Sequence, residues 1–273
     1  MFKTISNIMK VEDLRKKILF TLAVLIVYRI GSFIPVPNID TEFLKSIDRS
    51  QQGDIFGLLN TFSGGALFNF SIFAMGIMPY ITASIIVQLL SMDVIPKFAE
   101  WAKEGEAGRR KLTQFTRYGT VVLGLIQAFG TAIGFNRLYS YQMVNDPGFG
   151  TYTLIAIVLT AGTAFLMWLG EQITDKGIGN GISILIFAGI VAAIPTGARQ
   201  IYATLFMGEA AEALFLNIIK AIVIVLVIIA IIVGVIFVQQ GVRKIPVQYA
   251  KRIVGRKMYG GQSTHIPLKV NAA

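Results

Sequence analysis

Cysteine is absent from the 273 residues, His265 is the single histidine, and only 15% of the chain is charged. Without cysteine there is no disulfide scaffold and no thiolate metal site. One imidazole leaves little room for histidine chemistry. So little charge, against 54% hydrophobic residues and a mean hydropathy of +0.66, excludes an ordinary soluble domain. A cleavable signal is not evident either: residues 1–17 are polar and basic, and the apolar run after them is long enough to span a bilayer. What is present reads as an all-α polytopic membrane protein.

Five spans stand out: Ile18–Val36, Tyr118–Phe135, Tyr152–Gly170, the short Ile182–Pro195, and Ala221–Val238. The last, "AIVIVLVIIAIIVGVIF", has the β-branched composition of a strand, but an open strand cannot satisfy its backbone in lipid, so a helix is expected. In "GTAIG", Gly130 and Gly134 share a face, which predicts close helix packing.

The remaining apolar stretch is too long. Ile55–Met92 runs 38 residues without a charge, about 57 Å as one helix against a hydrocarbon core of roughly 30 Å. The distribution of the +10 formal charge decides whether it crosses once or twice. With one crossing and a cytoplasmic N-terminus, 19 of the 25 Lys and Arg fall inside and 5 outside, with Arg29 in the first span. Two crossings would give 8 inside and 16 outside. The positive-inside bias selects one crossing, hence six in all. The spare residues, around Leu58–Phe70, dip in from the outer face or lie in the outer interface. A full helix follows from about Ile72 to Met92, with Gly76 and Pro79 as kink points.

"FSGGALFNFSIFAMGIMPYITASIIVQLL", "EGEAGRRKLTQFTRYGT", "FLMWLGEQITDKGIGNGISILIFAGI" and "GGQSTHIPLKVN" resemble the SecY family of bacterial protein-conducting channels, from "RIGSFIPVP" to the last residue. The resemblance implies ten membrane helices in two pseudo-symmetric halves, of which this chain matches the N-terminal half and the cytoplasmic loop after the sixth helix. The implied organisation is an N-tail (1–17), spans with a re-entrant plug helix at about 55–70 (18–238), and a cytoplasmic loop holding a small β-hairpin (239–273).

The same resemblance assigns the plug to Phe62, Ser63, Gly64, Gly65, Ala66 and Leu67, and a pore ring to Ile77, Ile81, Ile182 and Ile186. Each isoleucine pair is four residues apart on one helical face. An apolar collar can seal around any extended chain and dewet when empty, although Ile at this spacing is ordinarily lipid-facing or packed core. In the tail, apolar and polar residues alternate around Gly255, predicting a hairpin whose tip, Lys251–Lys257, holds four basic residues in seven. Arg243, Lys244, Lys251, Arg252, Arg256 and Lys257 are the implied contacts for the SecA motor and the ribosome, or for anionic lipid. Further implied partners are SecE and SecG, unfolded preproteins and their signal sequences, and the C-terminal half of the channel if it is another chain. No cofactor or metal is implied, and the setting is the bacterial plasma membrane.

Other features read as structure. "KGIGNG" (Lys176–Gly181) lacks the strand and the Lys-Ser/Thr of a phosphate loop and reads as a tight interhelical turn. "EGEAGRRK" reads as a solvated basic loop. Arg29 is costly within a span unless it snorkels or pairs. A secondary transporter with broken helices or an assembly scaffold are the competing classes. A transporter needs polar coordinating groups near the midplane, which are scarce here, and no constellation supports catalysis.

Overall fold

Helix dominates because each apolar run must satisfy its own backbone. A computed structural model describes residues 11–271 apart from 41, 44–56, 58–59, 93, 139–142, 207–213, 248–251, 255–256 and 260–263. Of 214, 252–254, 257–259 and 264 it describes the backbone alone. Among these residues the order is α1 (Glu12–Gly31), α2 (Met78–Leu90), α3 (Pro96–Lys103), α4 (Glu106–Leu138), α5 (Phe149–Lys176), α6 (Gly181–Phe206) and α7 (Leu214–Gln240). Strands β1 (Val242–Val247), β2 (Arg252–Val254), β3 (Lys257–Tyr259) and β4 (Thr264–Lys269) follow. All helices but α3 fall on the six expected spans. Four of them, α4 to α7, are long and apolar enough to cross a membrane by themselves.

The chain divides into two compact units, Met1–Thr196 and Gly197–Ala273. In the first, α5 is the central post: 56% of its apolar window is buried, against 28% for α4. Its buried Ile155, Leu159, Leu166 and Ile173 form one stripe at spacings of four and seven. Opposite lies a stripe on α4 with a small or polar residue every fourth position: Thr116, Thr120, Gly124, Ala128, Ala132 and Asn136. Small side chains let the backbones approach, and each Thr on the stripe returns its hydroxyl to its own helix, Thr120 to the Thr116 carbonyl at 2.7 Å.

Close packing was expected at Gly130 and Gly134 instead. A Cβ at either would meet nothing within 4 Å. Those two glycines sit on the neighbouring face of α4, which opens on a cavity.

Within the long uncharged stretch, α2 is the one helix of ten or more residues among the described residues. After α1 the chain turns through 32–40, where Pro35 bridges Ser71 and Val36 N–H donates to the Phe70 carbonyl at 3.1 Å. Phe70 and Ser71 therefore lie beside the chain that follows α1 before α2 begins. The same end carries the bridge from Ile39 to Val144. At the far end of the bundle Ile178 N–H donates to Thr21 Oγ1 at 3.3 Å, and Arg117 pairs with Glu171 at 2.8 Å.

Helix α2 starts at Met78, six residues later than expected, and spans 13 residues, about 20 Å. Gly76 at φ +56° breaks the chain before it, and Pro79 opens the helix in its first turn, where a missing N–H costs nothing. Pro79 is a start rather than a kink. Conversely α6 continues through Pro195 to Phe206, beyond the span expected to stop there. Proline inside a membrane helix is tolerated in a way that aqueous helix rules do not capture. "KGIGNG" is an interhelical turn: Asn180 Oδ1 accepts from the N–H groups of Ile182 and Ser183 at 3.1 and 3.2 Å, capping α6.

In the second unit, α7 has none of its apolar window buried. The strands nest: β1 pairs antiparallel with β4, Val242 opposite Lys269 to Val247 opposite Thr264. Between them in the chain β2 pairs antiparallel with β3, Val254 opposite Lys257, a hairpin in the region where the alternation predicted one.

Candidate functional site

A mostly apolar cavity of about 710 Å³ lies within the first unit. Ile77, Ile81 and Ile186 line it, and so do Phe62, Ser63 and Leu67 of the segment that precedes α2. Ile77 is the residue before α2, and Ile81 N–H donates to its carbonyl at 3.1 Å, so the pair occupies successive turns of one face. Ile186 is on the second turn of α6. Ile182, one turn earlier, is not part of the lining. It packs on α5, where a Cβ at Gly170 would stand 3.0 Å from its Cγ1. Three of the four predicted isoleucines therefore meet at the cavity, and the fourth braces α6 behind them. Gly130 and Gly134 complete the opposite wall.

The Phe62–Leu67 segment is not a continuous helix. Gly64 and Gly65 have φ of +66° and +88°, a left-handed conformation in which any other residue is strained. The turns they make leave backbone groups without helical partners, and nearby polar side chains supply them. Asn60 Oδ1 accepts from Phe68 N–H at 3.0 Å, and Ser63 Oγ accepts from Leu67 N–H at 3.2 Å. Ser71 Oγ donates to the Ala66 carbonyl at 3.2 Å. That is why an otherwise apolar stretch carries Asn and Ser: irregular backbone away from water needs local partners. Ser63, Ala66, Leu67 and Phe70 are buried, while Phe62 is half exposed toward the cavity. The part of the predicted plug at 55–56 and 58–59 lies outside the described residues.

Arg29 pairs, as one of its two expected fates. Its Nη1 donates to the Gly64 carbonyl at 2.6 Å, and its guanidinium stacks 4.7 Å from the Phe33 ring. Tyr28, beside it, donates to the Ser63 carbonyl at 3.2 Å. Sequence reasoning passed over Tyr28 because a tyrosine in a span reads as ordinary packing. It also passed over Asn136, fully buried, whose amide donates to Tyr152 Oη at 2.7 Å while its Oδ1 accepts from Val144 N–H at 3.1 Å.

On the hairpin, Arg243 and Lys244 are exposed on β1 and, being consecutive, project to opposite faces. Arg252 and Lys257 end up on β2 and β3. Their side chains, and Lys251 and Arg256 altogether, lie outside the described residues. Among the described residues no three His, Cys, Asp or Glu side chains come together as metal ligands.

The SecY family model matches residues 71–273. The chain belongs to the SecY family. It is 68% identical over all 273 residues to the protein translocase subunit SecY of Halalkalibacterium halodurans and 63% identical to that of Bacillus subtilis. It spans 62% of the length of each. Among solved structures, a protein-conducting channel superposes with a TM-score of 0.55 at 21% identity, covering 93% of this chain and 52% of that one. The SecY fold is thus shared, and the apolar helices with family membership make the chain a multi-pass protein of the bacterial cell membrane.

Proposed function

We propose that this chain supplies the N-terminal part of the pore-forming subunit of the Sec preprotein translocase, passing unfolded polypeptides across or into the bacterial plasma membrane. The observation that carries the reading is the cavity where a re-entrant, glycine-turned segment meets three isoleucines. Phe62–Leu67 acts as the plug, and Ile77, Ile81, Ile182 and Ile186 contribute to the pore ring. A scaffold has no use for such a segment, and a transporter would need coordinating groups where this site is apolar. SecE, SecG, SecA, the ribosome and a C-terminal half complete the assembly.

The test is transport. Membranes carrying this chain with the C-terminal part of the Halalkalibacterium halodurans relative should import an unfolded secretory precursor into protease-protected form. Absence of import by a fully assembled pair would overturn the reading. The hairpin is the docking arm in this scheme, and its charges serve partners rather than folding. Reversing Arg252, Arg256 and Lys257 to Glu is expected to weaken SecA or ribosome binding by about tenfold or more, most at low salt. Insertion should be unchanged. Equal loss of folded protein in detergent would make these residues structural.

The N-terminus is cytoplasmic, with residues 1–17 and 239–273 on that side and six crossings at 18–238. The charge split supports this, as does the meeting of loops 32–40 and 143–145 at one end of the bundle. Because the chain has no cysteine, single introduced cysteines report without background. An impermeant maleimide applied outside should label positions near Lys45, Asn145 and Glu209, and leave Lys103 and Arg252 positions untouched. Labelling at Lys103 would reverse the topology.

A further inference from the structure

Nothing in the plug's own sequence explains why it stays seated. Its glycine turn leaves the Gly64 carbonyl without a backbone donor among the described residues, and Arg29 Nη1 fills that vacancy at 2.6 Å. Tyr28 Oη donates to the preceding carbonyl, Ser63, at 3.2 Å. Both donors come from the last turn of α1, and the loop that follows it is tied to Ser71, just past the segment, by the bridge of Pro35 to Ser71. Beside Tyr28 the plug also rests on α6 at Gly189, where an added Cβ would stand 2.9 Å from the Phe62 carbonyl, 3.2 Å from Gly64 N and 3.2 Å from Tyr28 Oη.

We infer that Tyr28 and Arg29, with Gly189 as the seat, form a latch that holds Phe62–Leu67 in the closed position through backbone carbonyls. These are positioning residues: they act on the pore only through the plug. The inference rests on the plug reading of the segment.

The energetics favour a latch over simple packing. Among the described residues no carboxylate pairs with Arg29, so its charge is compensated by the Gly64 carbonyl and the Phe33 ring. A charge-assisted bond at membrane depth is among the stronger kinds. With Arg29 removed, the seated plug keeps an unsatisfied carbonyl, whereas a displaced plug reaching water does not. The loss therefore falls on the closed state and shifts the two-state balance toward the open one. Because the contact is to backbone, plug side chains can vary without loosening it, provided both glycines keep the turn.

Leu67→Cys, buried in the seated plug, gives a position readout independent of conduction. In membranes containing the chain, its labelling by a water-soluble maleimide should accelerate about tenfold in Arg29→Gln, matching loss of one charge-assisted bond. The acceleration should be smaller in Tyr28→Phe and largely rescued in Arg29→Lys, which restores a charged donor. Leu159→Cys, in the core of α5 and fully buried, should stay protected in every background. Equal Leu67→Cys rates in wild type and Arg29→Gln would overturn the latch. Should Leu159→Cys become reactive in Arg29→Gln, Gly189→Ala decides. Alanine suits the helix, but its methyl has no room beneath the plug, so Leu67→Cys alone must become faster. Unchanged protection there would also overturn the latch. Faster labelling without added ion leak in the completed channel would leave the latch standing and refute the plug as its gate.

Discussion

Serine at Ile77, Ile81, Ile182 and Ile186 together makes the completed channel leak ions, with a resting conductance in planar bilayers at least about tenfold above wild type. The collar excludes water because isoleucine offers it no hydrogen bond. Fully burying an isoleucine is worth about 1.5–3 kcal/mol; Ile77 is buried, and Ile81, Ile182 and Ile186 are half-buried. Serine removes the apolar area and adds a donor and acceptor, so the constriction hydrates. Deleting 59–67 should act in the same direction by emptying the space above the collar, where Phe62, Ser63 and Leu67 line the cavity with three of the isoleucines. Leucine at the four positions should be the mildest change. Precursor transport should survive in all of them, since no hydrogen bond to a client is lost. Among the single variants, Ile182→Ser should leak least, because Ile182 faces Gly170 and braces α6. Wild-type leak in an assembled four-serine channel would refute the seal.

The six helical stretches and the strand pairing of the tail were legible because hydropathy and alternation mark them directly. The expected re-entry of 55–70 rested only on the basic residues around it, since a dipping segment and an interfacial loop have the same composition. Helix ends were not legible in the same way. Charge marks where water begins, whereas α4 starts at Glu106 within the basic loop, and α6 runs past Pro195. The contact face of α4 was misjudged for a related reason. Two glycines in "GTAIG" are conspicuous, but the face that packs is built of Thr, Ala and Asn at every fourth position, less conspicuous and just as small. The isoleucine sites came from resemblance alone. The backbone partners of Arg29 and Asn136 could not be read at all, because a bond to backbone leaves no mark on the sequence of the partner segment.

Asn136→Ala is expected to destabilise the first unit by about 2–3 kcal/mol, among the larger losses a single polar truncation can produce here. Asn136 ties three elements at the end of the bundle where the loops meet. It sits on α4, its amide donates to Tyr152 on α5, and its carbonyl accepts from the Val144 backbone in the connecting loop. Val144 in turn bridges Ile39. Removing the amide leaves a buried backbone N–H without an acceptor, in a cluster that also holds Val36, Phe135 and Met143. An unsatisfied donor in such surroundings costs more than the hydrogen bond itself contributed. Tyr152→Phe removes only the second, neutral bond and should cost about 0.5–1 kcal/mol. Combining the two changes should cost less than their sum, because the Tyr152 bond is already lost in Asn136→Ala. Denaturation of the purified chain in detergent, followed by tryptophan fluorescence, measures all three. A loss below that of Tyr152→Phe would mean that water replaces the amide at Val144 and that the junction is open to solvent.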